Sequence, residues 1–187
     1  MKLLRWLVLL AGSLAATGGL ALEKPYPGPF VENEEFLFVL MPRPPEQMAA
    51  FYEARGFPPA AIARIRATCF VTVHIENRSR RVIWMEPDTW QFNSKGRPLQ
   101  RLDSSYWETQ WDAVGLKQAN RSTFGWTQLP AVRDLQPHEQ VGGNIVFPGT
   151  TGSFDLEAVF PTGQDRRGKQ LSVRFENVTC PRGEPAE

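Results

Sequence analysis

Two cysteines behind an export-type N-terminus constrain this chain more than any other feature. Lys2 and Arg5 precede the uncharged apolar run Trp6 to Leu22, which contains Gly19-Leu20-Ala21, the small-x-small pattern that a signal peptidase recognises. Such a segment sends the rest of the chain to an oxidising compartment, where a lone pair such as Cys69 and Cys180 is expected to bond. These cysteines lie 111 positions apart, so one bond would staple distant parts of the fold. The competing reading is an uncleaved anchor. Against it, the run is at the lower edge of what spans a bilayer and includes Gly12, Ser13, Thr17, Gly18 and Gly19. Cleavage after Ala21 is therefore expected, with residues 1–21 as signal peptide, 22–187 as one domain and no integral membrane span after cleavage. No cysteine near that site offers a lipid anchor. The predicted location is periplasmic or secreted.

Removing Lys2 and Arg5 turns 21 basic against 20 acidic residues into 19 against 20. A charge so near zero gives no electrostatic reason for a nucleic-acid partner. Sixteen prolines and fifteen glycines predict many turns and few long helices.

The periodicity then divides the chain. Residues 23–34 read as an extended leader and Phe36 to Met41 as a buried strand bounded by Pro42. Pro44-Pro45 and Pro58-Pro59 each open a helical pattern, with Gly56 between them as a stop, so a helical hairpin is predicted over about 44–67. From Cys69 the period becomes two. Cys69, Val71, Val73 and Ile75 alternate with Phe70, Thr72, His74 and Glu76, the pattern of a strand with one strongly apolar face. Asn77 to Arg80 makes a turn into a partner strand, Val82 to Met85. Thr89 to Phe92 and Pro98 to Leu102 form a second hairpin around Gly96. Residues 104–116 read as a helix capped by Ser104, with Trp107, Trp111 and Val114 on one face. Four further strands are predicted over 122–129, 140–147, 154–160 and 171–177, with a frayed tail at 181–187. Short strands divided by Pro, Gly and Asp turns argue for a mainly β, antiparallel sandwich.

Two segments carry a family resemblance. Phe70-Val71-Thr72-Val73-His74-Ile75-Glu76-Asn77-Arg78-Ser79 is similar to the strand and Asn-turn that open telokin-like, immunoglobulin-like domains of secreted bacterial proteins. Leu135 to Phe147 is similar to their later hairpin, in which a leucine, a turn and a glycine precede a V-x-F strand. The resemblance implies an immunoglobulin-like β-sandwich in the cell envelope, often without catalytic activity. The helical hairpin and the 104–116 helix are additions to that pattern.

Site chemistry is sparse. Cys69 and Cys180 have no C-x-x-C partner and read as a structural bond, which leaves neither free as a nucleophile. The only histidines, His74 and His138, lack further ligands at metal spacing, so no metal and no cofactor are expected. No Gly-x-Ser-x-Gly elbow, His-Glu-x-x-His helix or phosphate loop occurs, and no catalytic residue is assigned. Tyr106, Trp107 and Trp111 are the candidate binding residues: Trp107 and Trp111 share a face and either cover one side of the sandwich or form an exposed aromatic platform, while Tyr106 lies off that face and is exposed under both readings. Arg64, Arg66, Arg78, Arg80 and Arg81 are locally basic, and Asn77, Asn120 and Asn177 sit in Asn-x-Ser/Thr sequons. The expected function is a non-enzymatic module that engages an envelope protein. Two alternatives are a glycan- or peptidoglycan-binding module using the aromatics, and a hydrolase with a carboxylate site assembled by the fold.

Overall fold

A computed structural model describes residues 26–183. The export segment expected at 1–21 lies outside them, as does most of the predicted frayed tail. Among the described residues no helix is long and apolar enough to cross a membrane. The described residues are mainly β, with antiparallel sheets and four α-helices.

The strong alternation from Cys69 builds the centre. Strand β3 (Thr68–Asn77) pairs on one edge with β2 (Phe36–Arg43), which carries β1 (Phe30–Glu32), and on the other with β8 (Gln140–Pro148). A second sheet has the order β10 (Leu171–Thr179), β9 (Ser153–Phe160), β5 (Gln91–Ser94), β6 (Arg97–Pro98). A third, two-stranded sheet joins β4 (Ile83–Met85) to β7 (Arg133–Leu135).

The period-two pattern sorts side chains to two cores. Cys69, Val71, Val73 and Ile75 of β3, with Ile145 and Phe147 of β8, face the second sheet and pack with Phe154, Leu156 and Phe160 in a shared cluster. Phe70 and Val146, on the opposite face, meet the helices. The predicted hairpin is present as α1 (Pro45–Glu53) and α2 (Pro59–Arg66), each with proline in its first turn. Gly56 has φ +76°, the left-handed conformation that ends α1. α3 (Ser104–Ala113) and α4 (Gln118–Trp126) complete the second cluster. The sulfurs of Cys69 and Cys180 are bonded, with Cα atoms 5.7 Å apart, and link β3 of the first sheet to the end of β10 in the second.

Four local expectations are corrected. β4 does not pair with β3, because both edges of β3 are already occupied by β2 and β8; it pairs with β7 instead. Asn77 redirects the chain there. Its Nδ2 donates to the Arg81 and Leu135 carbonyls, at 2.7 and 2.9 Å. Thr89, expected to start a strand, instead ends a 3-10 turn over Pro87–Thr89, and the strand begins at Gln91. The cap of α3 is Asp103, not Ser104: its carboxylate accepts from the Tyr106 backbone N–H at 2.9 Å. Finally, the segment predicted as a strand over 122–129 is mostly α4. Its Thr, Phe and Trp favour strands, but docking Phe124 onto Trp107 and Trp111 outweighs that weak preference.

Tyr52 of α1 lies fully inside the helical cluster, and its hydroxyl is 2.6 Å from Thr127 Oγ1. Burial pushes its phenol from the ordinary value near 10 up to about 12, while hydrogen bonds from Thr127 and Gln128 pull the other way. The fold thus favours the neutral phenol. The unfolded chain releases this proton from about pH 10, so the stabilisation is complete below that pH and is lost as pH rises to 12. At 1.36 kcal/mol per pH unit the decline should reach about 3 kcal/mol. Urea titrations from pH 9 to 12 should show that slope in the natural chain and a shallower one in Tyr52→Phe. Equal slopes would refute this account.

Candidate functional site

α3 begins where Asp103 caps it, and its next two turns place Trp107 and Trp111 on the face turned to the sheet. The two indoles stack at 4.8 Å between ring centroids and 25° between planes; Phe124 of α4 closes on them at 4.7 and 5.0 Å. Phe70 of β3 lies beneath, 6.3 Å from Trp107. Trp107 is 3% exposed and Trp111 1%. The aromatic platform weighed for these two residues is therefore not on the surface. Spaced four residues apart on a helix that faces Phe70 and Val146, they are covered by packing. Tyr106, at 37% exposed, points elsewhere and lines a separate hollow with Pro148 and Pro181.

Among the described residues the exposed indole is that of Trp126, at 86%. A strand would put Phe124 and Trp126 on one face, whereas in a helix two residues apart lie about 200° around the axis. Because 122–126 is helical, burying Phe124 turns Trp126 outward. The signal for it was the Lys117-Gln118-Ala119-Asn120 stretch ahead of the aromatic run, where the helix starts.

Between α3, α4 and β8 lies a cleft of about 710 Å³. Trp107, Trp111 and Phe124 line its apolar part, and Trp126 stands at its border. The segment after α4 is held along the edge of β8: Leu129 N–H donates to the Asn144 carbonyl at 3.0 Å and Asn144 N–H to the Thr127 carbonyl at 2.9 Å. Gly143 permits that approach, because a Cβ there would sit 2.5 Å from the Leu129 nitrogen. One polar group of the cleft is unsatisfied. Trp107 Nε1 is buried and has no acceptor among the described residues.

The charges of the cleft wall are engaged with one another. Arg101 pairs with Asp88, and Arg121 with Glu108 and Asp112 at 2.9 and 2.7 Å. The backbone and Ser105 hydrogen bonds hold the Asp103 carboxyl below its ordinary value, so it is an ionised acceptor rather than a proton donor.

On the other side of Trp126 a hollow of about 510 Å³ opens on the outer face of the first sheet. Arg43, Gln47, His74 and Asn144 are among the residues that line it. Arg43 Nε donates to Thr72 Oγ1 at 3.0 Å, and Thr72 Oγ1 donates to Asn144 Oδ1 at 2.8 Å.

The remaining sequence candidates fall apart spatially. His74 lies on a strand in this hollow while His138 occupies a turn at φ +68°. Among the described residues no group of three or more His, Cys, Asp or Glu is placed to hold a metal ion. Within the basic group, Arg78 pairs with Glu32 and Glu76, and Arg81 pairs with Glu35. Asn77 of the first sequon has its side chain buried in the turn, where its Oδ1 accepts from Ser79 N–H at 2.9 Å. A glycan on it would break that turn.

No protein-family model matches the chain, and no curated protein matches it at a significant level. Among solved structures, a Bacillus subtilis protein provisionally described as a lipoprotein is similar at 8% identity with a TM-score of 0.42. The likeness covers 80% of this chain and 39% of that one, so this chain spans well under half its length. A likeness so remote says nothing about function.

Proposed function

We propose that the chain is a non-enzymatic contact module of the periplasm or extracellular space, and that it engages an envelope protein through Trp126. The observation that carries this reading is an indole 86% exposed at the border of two hollows. Tryptophan is enriched among the residues that dominate protein–protein binding, and an aromatic left in water beside concave surface is a favourable anchor. The disulfide supports an oxidising location. Two sheets facing one core support the sandwich reading, and the immunoglobulin-like, telokin-like resemblance fits the same role. The mutually paired charges of the cleft support contact over hydrolysis.

A crosslinked pull-down from the source envelope should return one dominant protein. Trp126→Ser, which removes a side chain with almost no buried surface, should lower its recovery at least tenfold and leave the melting temperature unchanged. Equal recovery with both chains, or free monomer alone, would refute the reading.

A second reading has its own support. The hollow lined by Arg43, Gln47 and His74 lies beside Trp126, an arrangement suited to a sugar ring stacked on the indole with polar groups around it. Peptidoglycan sacculi would then retain the natural chain and release Trp126→Ser. This reading replaces Trp107 and Trp111 by Trp126 as the stacking residue.

A further inference from the structure

Among the described residues four arginines are half-buried, and three of them have carboxylate partners. Arg78 meets Glu32 and Glu76, Arg101 meets Asp88, and Arg121 meets Glu108 and Asp112. Arg43, the last residue of β2, meets no carboxylate among the described residues. Its Nε donates to Thr72 Oγ1, and its Nη2 reaches only the weakly accepting Met41 Sδ, at 3.7 Å. A cation drawn partly out of water is costly unless an anion or a full set of acceptors replaces the lost hydration.

The hollow beside Trp126 gives that cation its setting. Among the described residues its lining holds Arg43 and His74 but no aspartate or glutamate. Register places Met41, Thr72 and Asn144 in one row across the outer face of the sheet, with Val39, His74 and Gly142 in the next. Gly142 adds no side chain to that row, which leaves the face low beside His74. Thr72 is fixed in turn by its bond to Asn144 Oδ1, so the guanidinium is held with its Nη edge unclaimed. The volume of about 510 Å³ falls in the range of small-molecule sites, about 300–1,000 Å³. The groups a ligand would touch are within reach: Gln47 and Trp126 are exposed, Arg43 and His74 half-buried.

These features specify the ligand. A guanidinium fork binds a carboxylate through two parallel hydrogen bonds. The Trp126 ring offers a flat apolar surface to the C–H face of a sugar, and Gln47 and His74 suit its hydroxyls. A peptide C-terminus is captured instead by free backbone N–H groups, and β3 spends its backbone on β2 and β8. We infer that this hollow binds an acidic glycan: a sugar ring stacks on Trp126 while its carboxylate takes the Arg43 guanidinium. The inference rests on the glycan reading and adds the charge of the sugar.

The test titrates the full chain with tetragalacturonic acid, an alginate tetrasaccharide and the N-acetylglucosamine–N-acetylmuramic acid disaccharide, each beside its neutral methyl ester. Calorimetry and the ¹⁵N-indole signal of Trp126 report binding. At least one acid should bind and shift Trp126, its ester should bind about tenfold more weakly, and added salt should narrow that gap. Arg43→Gln should bind acid and ester alike, Arg43→Lys should keep part of the preference, and Trp126→Ser should lose both. The ester comparison uses the natural chain, so it decides the matter even where a variant folds poorly. The inference is overturned if no acid binds, if acid and ester bind equally, or if Arg43→Gln keeps the full preference. It is overturned too if an acetylated tripeptide with a free C-terminus shifts Trp126 and no oligosaccharide does. Should it fail while sacculi still retain the natural chain and release Trp126→Ser, the glycan reading stands and only the acidic sugar falls. If the sacculi release both chains as well, both readings fall.

Discussion

Replacing Cys69 and Cys180 together by alanine is expected to cost this protein about 4 kcal/mol of stability and to lower its melting temperature by roughly 10 °C. The two residues close a loop of 111 positions. In the chain-entropy account, cross-linking across so long a loop removes a large share of the unfolded chain's freedom, and natural disulfides give up about 2 to 5 kcal/mol when removed. The placement favours the upper part of that range. Cys69 sits in β3, which anchors one sheet from its middle, and Cys180 follows β10, the edge strand of the other. Without the bond, β10 is held by its pairing with β9 and by the packing of Leu171, Val173, Phe175 and Val178. Thermal melts followed by far-ultraviolet circular dichroism test this directly. Dithiothreitol should lower the melting temperature of the natural chain by a similar amount and leave the double variant unmoved. Melting that ignores both treatments would contradict the staple.

Trp111→Ala is expected to cost about 3 to 5 kcal/mol, the range for removing a large buried aromatic. Trp111 is among the largest side chains that are fully enclosed, and its ring meets Trp107, Phe124 and Phe57. Truncation leaves a cavity where α3, α4 and Phe57 meet, and the helices cannot close it without pulling away from Phe70 and Val146. The damage should be local to that cluster, because the core between the sheets shares none of these contacts. Urea denaturation measures the loss. The near-ultraviolet signal of the stacked Trp107–Trp111 pair should vanish with it. A loss below about 1 kcal/mol would mean that the pair is not packed as described.

Those two expectations stand at opposite ends of what could be read in advance. Local rules were enough for the strands β3, β8, β9 and β10, since the Cys69 to Ile75 alternation names its own apolar face. They were enough for the helical hairpin as well, where Pro44-Pro45 and Pro58-Pro59 preset the first turns and Gly56 ends the first helix. Local rules failed at β4, because a strand cannot reveal that its neighbour has no free edge. They failed again at α4, where β-favouring residues are held helical by contact with a tryptophan pair on another helix. Trp126 went unassigned for the same reason: its exposure depends on whether Phe124, two residues earlier, lies in a strand or a helix.

By itself the sequence determined periodicity, turns and the availability of one cysteine pair, since these depend on residues close in the chain or on simple counting. Only the tertiary structure decided which faces are covered. It buried Trp107 and Trp111 and turned Trp126 to solvent. The physical reason is that burial is a property of what packs against a residue, and the packing partners here, Phe70, Val146 and Phe124, come from segments that no local pattern connects.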